Sequence, residues 1–170
     1  MRTWLIAAML LSQTSALIGT ASAEELKNWF DDPFFQVRKG LPDCPAPLGP
    51  LLPQSKRNAE AHYRVERGTS CWLAGQCAKP NAYWYDAGIG KAVEKAFADS
   101  SDFGNTSLWV TVQRRFVTVE GCISAPQQER QIEAMIQVLP DVERVIVQVA
   151  KPGDPKPPYA PAPGPTIDGK

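Results

Sequence analysis

The sequence predicts an α+β fold, a small two-layer sandwich in which a three-stranded mixed sheet packs one face against two helices. Three observations carry this. Ile89, Val93, Ala96 and Phe97 recur at the spacing of one helical stripe, with Lys91, Glu94 and Lys95 elsewhere on the wheel. Leu108, Val110 and Val112, then Val117 and Val119, alternate with polar or aromatic residues at the period of a half-buried strand. Ile132, Met135, Ile136 and Leu139 then restore the helical period, and Val145, Val147 and Val149 return to the strand period. The order is helix, strand, strand, helix, strand.

Taken from the N-terminus, residues 1–23 read as a secretory signal peptide. Arg2 supplies the basic n-region, Trp4 to Leu11 is apolar, and Ala21-Ser22-Ala23 is a small-x-small cleavage site followed by Glu24 and Glu25. Ser12, Gln13, Thr14 and Ser15 interrupt the apolar run too early for a membrane anchor. Export implies a periplasmic or more distant location. Residues 24–86 form an irregular extension rich in Cys, Pro and aromatics. Pro42, Pro45, Pro47, Pro50 and Pro53 exclude a regular helix or central strand from their stretch. Ser55 is placed to cap a polar helix through about Glu66, ending before Gly68. The regular block occupies residues 87–150. Within it, residues 113–116 are short enough to join the first two strands as an antiparallel hairpin, although Arg114-Arg115 lacks the Gly that a primed turn prefers. Pro126 is tolerated at the start of the second helix, and Pro140-Asp141 ends it. Residues 151–170 hold seven Pro and are expected to be a flexible tail.

In an exporting compartment the even set Cys44, Cys71, Cys77 and Cys122 points to two disulfides, with three connectivities open. Cys71 and Cys77 bracket a short segment containing Gly75, which makes a local 71–77 bridge with 44–122 the first choice. Spacings of 27, 6 and 45 residues lack the paired knuckles of a structural zinc site, and no C-x-x-C redox motif is present.

The segment Val110 to Ile123, V-T-V-Q-R-R-F-V-T-V-E-G-C-I, followed after a helix by Leu139-Pro140-Asp141-Val142, resembles the BON domain of bacterial envelope proteins. Val117-Thr118-Val119-Glu120-Gly121 matches the family's second strand, and Leu139-Pro140-Asp141-Val142 its approach to the last one. Two departures stand out. Arg115 occupies a hairpin position where Gly is common, and Asp141 the position after Pro where Gly is common. The resemblance implies a non-catalytic module that contacts phospholipid or another envelope component, without cofactor.

The composition agrees with binding. Eighteen basic side chains balance eighteen acidic ones, which removes the electrostatic footprint of a dedicated nucleic-acid binder. One His, His62 among polar neighbours, is read as a surface residue, and no nucleophile stands beside a base. Glu120 is read as an exposed strand residue. If the apolar strand residues face the helices, then Trp109, Thr111, Phe116, Thr118 and Cys122 face the other way. The aromatic extension, fastened by a 44–122 bridge, is expected to cover them. Arg114 and Arg115 at the hairpin tip, with Arg144 and Arg130, are the candidate contacts for anionic headgroups, each worth about 1 kcal/mol near such a surface. The alternative is a structural or protein-interaction subunit of an envelope or secretion assembly, with an envelope protein as partner.

Overall fold

A computed structural model describes residues 24–67 and 69–163. The signal-peptide reading, the Gly68 helix stop and the last seven tail residues lie outside the described residues.

The αββαβ core has the expected order. Helix α3 (Asp86–Asp99) leads to β4 (Ser107–Gln113) and β5 (Phe116–Cys122), then α4 (Gln127–Gln137) and β6 (Arg144–Ala150). β4 and β5 pair antiparallel with Gln113 opposite Phe116, and β5 and β6 pair parallel through the α4 crossover. Leu108, Val110, Val112, Val117 and Val119 are fully buried against Ile89, Val93 and Phe97 of α3 and Ile132 and Ile136 of α4. Phe103, from the turn before β4, adds an edge-to-face contact to Phe97 at 5.5 Å between ring centres. At Gly121, φ is +140°, and a Cβ there would lie 2.0 Å from the Ser107 carbonyl oxygen. Close pairing with β4 therefore requires glycine at the end of the V-T-V-E-G run.

The sheet has four strands where three were expected. Strand β2 (Phe34–Lys39), from the extension, pairs antiparallel with the free edge of β4, giving the order β2-β4-β5-β6. Phe35 and Val37 from it pack against the core. A register shift between Gln36 and Arg38 bends the strand there. Beyond it, the Arg38 guanidinium donates to the carbonyls of Phe97 and of Ser100, the latter at 2.6 Å, and so satisfies the C-terminal end of α3.

The remaining extension is also more regular than expected. A two-stranded ribbon pairs β1 (Leu26–Lys27) with β3 (Leu52–Pro53), and α1 (Gln54–Val65) and α2 (Thr69–Leu73) follow. Ser55 does not cap α1. Pro53 holds the cap position without a side-chain bond, and the Glu24 carboxylate accepts the Ser55 N–H at 2.6 Å and its hydroxyl at 2.8 Å. A carboxylate from outside the helix thus serves its exposed N-terminal donors.

This material lies over the outer sheet face. Cys44 is bonded to Cys122, and Cys71 to Cys77. The tail is not free over its described length. Pro47 and Pro161 form an antiparallel bridge, Leu48 N–H donates to Ala160 and Ala162 N–H to Ala46, both at 2.8 Å. Proline-rich chain has no internal hydrogen bonds, so two such segments pair with each other. Tyr159, 7% exposed, donates to the Pro45 carbonyl at 2.7 Å beside the Cys44–Cys122 bridge. Glu120 is accordingly half-buried and not exposed, and burial raises its pKa.

Candidate functional site

The hairpin tip is built in an unusual way. Arg114 and Arg115 both adopt left-handed backbone, with φ of +52° and +68°, as a two-residue primed turn demands. Neither residue type favours that region, which costs a non-glycine residue roughly 1 kcal/mol or more. The compensation comes from Asp86, 2% exposed at the first turn of α3. One carboxylate oxygen accepts the Arg114 N–H and the other the Arg115 N–H, each at 2.7 Å. Burial pushes the Asp86 pKa up to about 6, against the opposing pull of these two bonds. The Arg115 Nε also donates at 2.8 Å to the carbonyl of Asp141, itself left-handed at φ +65°.

With the backbone fixed, the side chains form a basic and aromatic ladder. Arg67 and Arg114 lie over the Tyr63 ring, at 5.3 and 5.6 Å from its centre, and Arg114 also donates to the Tyr63 hydroxyl. Arg114 and Arg144 lie over Phe116 at 4.7 and 5.7 Å. Arg115 and Lys79 share the Tyr85 ring at 5.0 and 4.6 Å. Stacking of this kind holds guanidinium groups in place without neutralising them. Glu143, 3.9 Å from Arg115, and Glu66 are the acidic side chains on the rim of the adjoining cavity, which measures about 370 Å³.

Three of the four candidate arginines, Arg114, Arg115 and Arg144, therefore lie together at the hairpin end. Arg130 does not. It lies early on α4, next to Glu129, which pairs with Lys151 at 2.7 Å just past the far end of β6. The seven residues of β6 separate that end from Arg144 by roughly 20 Å. Tyr63, Arg67, Lys79 and Asp86 were not read as site residues. The signal for Asp86 was indirect, since two adjacent arginines in a tight hairpin need a nearby acceptor.

A second polar cluster fastens the extension to the sheet. Arg64, on α1, makes a two-pronged pair with Asp32 at 2.7 and 2.6 Å and bonds Glu60 at 2.9 Å. Its guanidinium is held between the rings of Phe30 and Tyr83, 4.1 and 4.2 Å from their centres. Gln113 donates to the same Asp32 carboxylate at 2.6 Å, tying the group to the end of β4. Burial pushes the Tyr83 pKa up to about 12. Every arm is satisfied, as a structural clamp requires. His62 stands on the exposed side of α1, 3.5 Å from Glu66.

Residues 85–150 match the family model of the BON domain. This segment is a BON domain. The match begins at Tyr85 and so takes in Asp86, the residue that supports the hairpin. No curated protein and no solved structure matches the chain, so the assignment rests on this segment. The two departures of this BON domain from the family pattern, Arg115 and Asp141, both carry positive φ, which accounts for the glycine common at those positions. Among the described residues no helix is long and apolar enough to cross a membrane, and no group of three or more His, Cys, Asp or Glu side chains is arranged to hold a metal ion.

Proposed function

We propose that this protein is an exported, non-catalytic module of the bacterial envelope that contacts anionic phospholipid headgroups through the hairpin end of its BON domain. The family supports the general class, a phospholipid- or envelope-binding type without catalytic chemistry. The observation that carries the specific reading is the pair of arginines held at left-handed backbone by a buried carboxylate. Glycine or asparagine would form this turn at lower cost. A turn that keeps two arginines against its local preference, with Arg114 stacked beside Arg67 and Arg144 on Tyr63 and Phe116 and Arg115 beside Lys79 on Tyr85, supports a requirement for positive charge there. Phosphate oxygens of a headgroup suit planar guanidinium donors.

The test is a variant that removes the charge while improving the turn. Arg114→Asn with Arg115→Gly leaves the Asp86 acceptor in place and supplies a preferred primed-turn pair. It is expected to stay folded by circular dichroism and to bind phosphatidylglycerol vesicles roughly 30-fold more weakly, from two basic residues at about 1 kcal/mol each. Undiminished binding by the folded variant removes the hairpin from the contact.

A further inference from the structure

Beside the basic cavity stands an apolar feature that headgroup contact leaves unused. Trp72 is 45% exposed, Leu73 79% and Trp84 64%. Large apolar side chains are seldom left bare in numbers, and patches rimmed by charge mark contact sites. Trp72 and Leu73 end the five-residue helix α2, inside the loop closed by the Cys71–Cys77 bond. Both cysteines line the cavity that Arg67, Lys79, Arg114 and Arg115 also line. Trp84 is tied to the same rim, because Lys79 Nζ donates to its carbonyl at 2.8 Å.

We propose that the Cys71–Cys77 loop is an insertion tip, whose Trp72 and Leu73, with Trp84 beside them, enter the interfacial layer of an anionic bilayer while the four cationic side chains around the cavity hold the phosphates above it. This rests on the headgroup reading and adds depth to it. The occupant follows from charge complementarity, since the cations that line the cavity and the exposed Trp72 and Trp84, each next in sequence to a lining residue, match a surface that is anionic outside and apolar just beneath. Indole has an apolar body and a polar N–H, and it settles at that boundary. The disulfide limits the conformations of the loop before contact, so less ordering is left for binding to impose.

The experiment uses the oxidised full chain with vesicles of phosphatidylglycerol and phosphatidylcholine carrying bromine at shallow acyl positions, read by tryptophan fluorescence and co-sedimentation. Quenching is expected, together with a blue shift, and single Trp72→Phe and Trp84→Phe variants should each remove part of it. Trp72→Ala with Leu73→Ala should weaken vesicle binding at least about tenfold, given the apolar area withdrawn, with an unchanged Tm because both side chains are exposed. Salt-sensitive vesicle binding without quenching, equal in the double variant, overturns insertion and leaves headgroup contact standing. Absence of binding to any vesicle overturns both and shifts the search to a protein partner.

Discussion

Asp86 links the packing of the first BON helix to the shape of the hairpin end. It sits where an acidic residue suits a helix N-terminus, yet its carboxylate is spent on the hairpin N–H groups of Arg114 and Arg115. Its pKa, raised to about 6 by burial, lies above the roughly 3.9 of an unfolded Asp. A group whose folded pKa is raised adds stability fully below the unfolded value and loses it as pH rises through the folded value. The unfolding free energy of the wild type relative to Asp86→Asn should therefore decline between about pH 4 and pH 7. Urea titrations across that range measure it, and a flat difference means that the Asp86 carboxyl is not held above its ordinary range. Asn in this position keeps one acceptor and turns an amide toward the other N–H, so the variant should also loosen the tip.

The elements differ in how openly the sequence declares them. α3, β4, β5, α4 and β6 were legible because each keeps a clean period of 3.6 or 2 and buries one full face. The sheet's fourth strand was not. Phe34 to Lys39 is six residues long between Pro33 and Gly40, and the shift between Gln36 and Arg38 breaks its alternation. Pairing across so long a separation leaves no local mark. The site was half legible for a related reason. Arg114, Arg115 and Arg144 meet because the readable hairpin ends where the parallel β5–β6 register sets Phe116 against Arg144, a register the sequence did not declare, whereas the α4 crossover carries Arg130 to the opposite end. Tyr63 and Arg67 reach the site only through the way α1 docks, and Arg64 governs that docking. Arg64→Ala leaves the buried Asp32 with Gln113 but without its charged partner, a loss of about 3–5 kcal/mol. Denaturant unfolding checks it, and a loss below 1 kcal/mol removes Arg64 as the clamp.

Among the described residues, the two helices and the sheet of the core carry a third layer built mostly from residues outside the 85–150 match. That layer closes the outer sheet face with the Cys44–Cys122 bond, the pairing of residues 46–48 with 160–162, and buried Tyr159. Covering this face leaves the hairpin end, with its arginines, Lys79 and the exposed loop from Cys71 to Cys77, as the chemically distinctive surface. Net charge near zero overall makes this local concentration of cations the source of any attraction to an anionic surface. Such attraction is screened within about 10 Å at 0.1 M salt. Co-sedimentation of the oxidised protein with phosphatidylglycerol and phosphatidylcholine vesicles, at low salt and at several tenths molar, addresses this most directly. Binding should be confined to the anionic vesicles and weaken steeply as salt rises; equal, negligible binding to both at low salt contradicts a headgroup-contacting function.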